Sequence, residues 1–149
     1  MKIHNKVTIE NRKARFHYEL LDRYEAGIQL YGTEIKAIRL TKVSIAESFC
    51  QFKDDELYIV NMMIHEYDLG THNNHKPRRD RKLLLQRKEL NKLIRKTKET
   101  GLTIVPLKLY INDRGFCKIS ISLAKGKKLH DKRESIKQKD IQRDMQRGN

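Results

Sequence analysis

Few side chains in this sequence could do chemistry. His65, His72 and His75 could offer imidazoles to a metal, but they lie in or beside a polar loop with no cysteine nearby. A His-Asn-Asn-His run in basic surroundings reads more simply as polar contact with solvent or a polyanion. Asp54-Asp55-Glu56 has the carboxylates of a hydrolytic metal site, yet it sits between two apolar runs, where turn chemistry explains it. Gly126-Lys127-Lys128 imitates the end of a phosphate-binding loop, but Lys128 replaces the required Ser or Thr and Ile121 stands where the first Gly belongs. No nucleophile is accompanied by a base. The pattern predicts a protein that is not an enzyme and holds neither a metal nor a cofactor.

Three denser stretches remain: Asn11-Arg12-Lys13-Ala14-Arg15, Gly32 to Arg39, and Ala124 to Glu134. Their Lys and Arg residues can neutralise phosphates, and Asn11 can read a base edge or a 2′-hydroxyl. Glu34 has two readings. It is either an acid favoured in the first turn of a helix or an acceptor for a base amino group.

The charge distribution agrees with a polyanionic partner. Lys and Arg number 33 against 19 acids, a net charge of +14, and the excess is segregated. Residues 76–98 carry 11 basic and 2 acidic side chains, residues 125–149 carry 9 and 4, and the rest of the chain is balanced. Two basic blocks on a neutral body suggest phosphate-facing surfaces, although the first block could also be the solvated face of a helix.

Elements must position these residues. A length of 149 residues suits one domain. Residues 1–10 read as a loose arm. Strand-like runs follow at Phe16–Leu21 and Gly27–Tyr31, separated by a charged turn at 22–25, and Thr33 is placed to cap a short helix to Leu40. Further strands are expected at Ser44–Phe52 and Leu57–Tyr67. After the loop at 68–79, Asp80 is placed to cap a long helix to about Thr100, with Leu83, Leu90, Leu93 and Ile94 as its apolar stripe and Gly101 as its stop. Val105, Leu107, Leu109 and Ile111, then Cys117, Ile119, Ile121 and Leu123, alternate with wetter residues and predict two strands with one buried face. Cys50 and Cys117, the only cysteines, read as small strand residues. The fold class is mainly β with flanking helices (α+β): an OB-like closed antiparallel β-barrel of about six strands, one long helix, one short helix and a C-terminal tail.

The domain is expected to span 1–128 and the tail 129–149. The tail has few apolar residues to offset the entropy of ordering, so it is expected to be disordered when free. Ile136, Ile141 and Met145 form a thin stripe that a partner could order as a helix. No apolar run approaches the roughly 18 residues that cross a bilayer, and a soluble, cytoplasmic protein is expected.

The blocks Asn11-Arg12-Lys13-Ala14-Arg15, Gly27, Gly32-Thr33-Glu34-Ile35-Lys36, Arg81-Lys82-Leu83-Leu84-Leu85, Gly101 to Leu107, and Leu123 to Lys128 with Asp131-Lys132-Arg133 resemble the bacterial SsrA-binding protein (small protein B) family. The resemblance runs in order from about Asn5 to Arg147. It implies an RNA chaperone that binds the tRNA-like domain of transfer-messenger RNA and helps deliver it to the A site of stalled ribosomes in trans-translation. It implies elongation factor Tu as an indirect partner through the aminoacylated RNA, and the ribosome, at the 16S rRNA decoding centre and empty mRNA channel, as a direct one. A monomer without membrane attachment is expected.

On this resemblance, Asn11, Arg12, Lys13, Arg15, Glu34, Lys36, Arg39, Lys125, Lys127 and Lys128 would form the surface for the tRNA-like fold. His130, Asp131, Lys132, Arg133, Ile136, Ile141 and Met145 would form the ribosome-binding tail, with His130 stacking on a base. The alternative is a structural ribosomal or cold-shock-like OB protein that binds rRNA or single-stranded RNA. A cold-shock reader needs an exposed aromatic platform, whereas the Tyr and Phe residues are scattered. A metal-dependent nuclease using His65, His72 and His75 is a further rival.

Overall fold

The computed structural model describes residues 7–69, 74–99 and 101–127. Lys128, the whole tail and His72 lie outside the described residues. In chain order the elements are β1 (Thr8–Glu10), α1 (Arg12–His17), β2 (Tyr18–Ile28), α2 (Gly32–Arg39), β3 (Val43–Ser44), β4 (Phe49–Lys53), β5 (Glu56–Val60), β6 (Met63–Ile64), β7 (Arg81–Leu84), α3 (Arg87–Thr97), β8 (Leu102–Ile111) and β9 (Cys117–Gly126).

β8 and β9 form the long hairpin that the alternation predicts, turning through Asp113-Arg114-Gly115 with Gly115 at φ 84°. From β8 the hydrogen-bonded order runs through β4, β5, β7, β2 and β9, and β9 pairs with β8 again. Every pairing is antiparallel, so six strands close a ring and β1 lies along β8 outside it. Closure leaves few free edges and encloses a core of Ala26, Leu57, Ile59, Leu83, Leu109, Ile119 and Ile121, all at 0% exposure.

The ring has the expected number of strands, made from different pieces. The two strands expected at 16–31 are one strand, β2, with a bulge between Leu20 and Arg23 in place of the turn. The missing member is β7, inside the segment that sequence periodicity assigns to the long helix. Arg81 and Leu83 alternate inward with Lys82 and Leu84 outward, and this four-residue strand satisfies the open edges of β5 and β2. The helix therefore begins at Arg87. Glu89 Oε1 accepts the Gln86 N–H at 3.1 Å, and Leu90 and Leu93 are the buried positions. Asp80 does not cap it; its carboxylate pairs with Lys53.

The expected strand at 44–52 is split into β3 and β4, and that at 57–67 into β5 and β6, with Asn61 at φ 64° at the second break. The loose arm is in part β1. There is also a third helix, α1, where the Phe16 strand was expected to start.

A second bulge falls between Pro106 and Lys108. An extra residue reverses which face the following side chains occupy. Leu109 and Ile111 join the main core, whereas Val105 and Leu107 form a separate cluster with Ala14 and Ala124, flanked by Tyr18 and Leu20. The expected single face of Val105 through Ile111 is therefore two faces. The outward cluster is the seat on which α1 rests.

Candidate nucleic-acid interface

Ala14 is the buried residue of α1, and its packing on Val105, Leu107 and Ala124 leaves Arg12, Lys13 and Arg15 exposed. Asn11 fixes the start of the helix. Its backbone N–H donates to Leu107 O at 2.8 Å and its Nδ2 to Pro106 O at 2.9 Å. At the other end, the Lys127 N–H donates to His17 O at 3.0 Å, which ties the end of β9 to the end of α1. Lys125 stands opposite Glu19 and Leu102 in the neighbouring strands. Asn11, Arg12, Lys13, Arg15, Lys125 and Lys127 are thus brought to one end of the ring, although more than a hundred positions separate the first from the last.

Two depressions flank Asn11. One, of about 480 Å³, is lined by Asn11, Lys13, His17, Phe49, Thr103 and Lys127, among others. The other, of about 420 Å³, is lined by Arg12, Arg15, Arg23 and Lys108 together with Asn11. Asn11 is 8% exposed, and its Oδ1 is the one buried side-chain polar atom without a hydrogen-bond partner among the described residues. An unpaired buried acceptor is costly unless something binds it. Here it lies between cationic rims, with Phe49 still 42% exposed in the larger groove. Cations for phosphate, an aromatic ring for stacking and an acceptor for a base N–H are the parts that single-stranded recognition uses. Lys13 also pairs with Glu47 at 2.7 Å across the mouth of that groove, both side chains exposed.

The remaining expected contacts do not join this cluster. Arg39 lies at the far end of the hairpin, its guanidinium 4.0 Å from the point a Cβ on Gly115 would occupy. A ten-residue strand separates that turn from Lys125, roughly 30 Å at the usual rise. Lys36 sits 5.6 Å over the Tyr67 ring.

Glu34 is not at the surface. It is 0% exposed, and its Oε1 accepts the Tyr31 N–H at 2.8 Å at the start of α2. Arg79 Nη2 meets Oε1 at 2.6 Å and Arg81 Nε meets Oε2 at 2.6 Å. Burial alone would raise the Glu34 pKa, but the bonds from Arg79 and Tyr31 and the charge of Arg81 outweigh it and hold the carboxyl below its ordinary range. The helix-terminus reading of Glu34 is realised, with two arginines added to it. A carboxylate enclosed in this way has no free oxygen to offer a base.

Sequence reasoning missed Arg81 as a core residue, Phe49 as a groove residue and Arg79 as a partner of Glu34. None of the three had a local signal: Arg81-Lys82-Leu83-Leu84 shows no alternation of polar and apolar residues along the chain. His75, considered as a metal ligand, is 3% exposed, with Nδ1 2.9 Å from Thr33 Oγ1 and Nε2 3.0 Å from Ile64 O. Both ring nitrogens thus serve the fold. Among the described residues no group of three or more His, Cys, Asp or Glu could hold a metal, and no helix is long and apolar enough to cross a membrane.

A closed six-stranded antiparallel ring with flanking helices and a basic, aromatic-containing groove at one end defines a small, mainly β protein of the OB-like class. The chain belongs to the SmpB family, whose model, described as "SmpB protein", matches residues 8–149. It is 59% identical to the SsrA-binding protein of Christiangramia forsetii over 96% of this chain and 91% of that protein. It is 54% identical to the SsrA-binding protein of Nostoc sp. over 95% and 92%. A solved structure described as "tmRNA-SmpB: a journey to the center of the bacterial ribosome" aligns with a TM-score of 0.70 at 48% identity, covering 87% of this chain and 94% of that one.

Proposed function

We propose that this protein binds transfer-messenger RNA and acts with it in trans-translation on the bacterial ribosome. Membership of the SmpB family supports the reading, as do relatives named for SsrA binding and a structural neighbour described with tmRNA and the ribosome. The single observation on this chain that carries it is the groove beside α1, where Asn11 Oδ1 lies unpaired between Lys13, His17, Phe49 and Lys127.

In this reading the protein is a cytoplasmic RNA chaperone without catalytic chemistry. Asn11, Arg12, Lys13, Arg15, Lys125 and Lys127, with Lys128 following, hold the tRNA-like domain. Lys36 and Arg39 act at a separate point, and Glu34 acts only by fixing its arginines. Residues 1–128 are the RNA-binding unit. The segment 129–149, with His130, Asp131, Lys132, Arg133, Ile136, Ile141 and Met145, probes the decoding centre and the empty mRNA channel. Elongation factor Tu meets the protein only through the aminoacylated RNA.

Two measurements test this. RNA recovered with the protein from its own cells should be one folded, tRNA-like species, and recovery of only bulk rRNA would favour the structural ribosomal alternative. A chain ending at Lys128 should retain affinity for the tRNA-like domain while losing peptide tagging on stalled ribosomes. Full tagging by the shortened chain would remove the tail from the mechanism.

A further inference from the structure

Away from that groove, Glu34 faces two guanidinium groups, and one negative charge cannot neutralise both. Arg81 uses its side of the arrangement internally. It is 0% exposed, and its remaining donors reach Met62 O at 2.8 Å and Pro77 O at 3.1 Å. The surplus positive charge therefore rests on Arg79, whose side chain is 25% exposed.

Arg79 is also held flat. Its Nε and Nη2 both contact Glu34, and the guanidinium carbon lies 4.2 Å from the centroid of the Tyr31 ring. Tyr31 is 58% exposed even with this guanidinium against it. Its backbone is fixed as well, because its N–H is bonded to Glu34 and its carbonyl accepts the N–H groups of Glu34 and Ile35. The result is an exposed aromatic ring at the surface, backed by a cation and pinned through a buried carboxylate. A pre-ordered ring loses little freedom when a second planar group stacks on it.

Its occupant follows from charge and shape. A peptide aromatic would gain from the ring and nothing from the unbalanced cation. An unpaired nucleotide supplies both a π-face for Tyr31 and a phosphate for the positive field of Arg79. We propose that the Tyr31–Arg79 stack is a second RNA subsite that takes one unpaired nucleobase, separate from the groove at Asn11. This rests on the RNA-binding reading above and adds to it a site that the sequence did not indicate.

The chain has no Trp, so Tyr31→Trp places a single indole reporter on the platform while keeping an aromatic surface. Titration with a short single-stranded oligoadenylate should quench its emission, whereas the same sugar-phosphate chain lacking bases should bind without quenching. Tyr31→Ala should weaken oligoadenylate binding at least about fivefold, the lower end of what losing one stacked base costs. Equal signals from the two probes, or no signal while anisotropy reports oligoadenylate bound, would overturn the subsite. Binding of the wild-type chain to the tRNA-like domain is measured separately. An intact complex with a silent indole reporter rejects the platform alone; failure of that complex rejects the function while the oligoadenylate quench still decides the platform.

Discussion

Arg81 and Glu34 meet wholly inside the fold, Nε to Oε2 at 2.6 Å, with no solvent exposure on either side chain. One comes from the strand that closes the ring and the other from the first turn of α2, so the pair fastens a helix to the closure point. Removing one member of a buried pair leaves the other charged and unpaired. Arg81→Ala should lower unfolding stability by about 3–5 kcal/mol. A denaturant titration at neutral pH measures this, and a midpoint within error of wild type would mean that the pair carries no such weight.

The same carboxylate makes stability depend on acid. The folded-state pKa of Glu34 lies below its ordinary value of 4.5, so the unfolded chain takes up the proton first as pH falls. Its stabilising contribution is therefore complete above that value and is lost as pH drops through the folded pKa. Glu34→Gln should be less stable at neutral pH, and its stability should fall less steeply below pH 4.5. Thermal melts across the acid range give the comparison.

Why this arrangement was hidden explains much of what could and could not be read from the chain. The β8–β9 hairpin was legible because apolar and polar residues alternate without interruption from Cys117 to Leu123 along β9. β7 was not. Its inward position is an arginine, which by type belongs at the surface, and the glutamate that satisfies it lies 47 positions away. Leu83, Leu90 and Leu93 can all be placed on one helical stripe, so local periodicity favoured a helix that the ring could not accommodate. α1 was missed for the opposite reason. It has a single buried residue, Ala14, and holds its shape through a cluster that exists only because two bulges turn Val105, Leu107, Tyr18 and Leu20 outward. The basic motif at 11–15 was legible as a phosphate-facing segment. Its junction with Lys127 was legible only through resemblance, because nothing local links the two ends of the domain.

The cysteines make a separate test of closure. Cys50 and Cys117 are both buried in the main core, and burial pushes both thiols up, Cys117 to about 12. Because the thiolate is the reactive form, neither residue should be alkylated appreciably by iodoacetamide in the native protein at neutral pH, and both should react once denaturant opens the ring. Mass spectrometry of the time course would show it. Rapid labelling of either residue under native conditions would mean that the barrel opens locally at that strand.

The groove beside α1 joins two kinds of contact that salt can separate. Lys127 contributes charge, and each phosphate neutralised should add roughly 0.7–0.9 to the slope of log affinity against log salt. Asn11 contributes an uncharged acceptor, and losing a hydrogen bond of this kind costs about 1 kcal/mol, or roughly fivefold in binding. Lys127→Ala should therefore flatten the salt dependence of binding to the tRNA-like domain. Asn11→Ala should shift the whole line to weaker binding with its slope unchanged. Because Asn11 also anchors α1 through Pro106, circular dichroism must first show the variant folded. If a folded Asn11→Ala chain binds as tightly as wild type, its unpaired oxygen faces no RNA, and the groove's contribution reduces to charge alone.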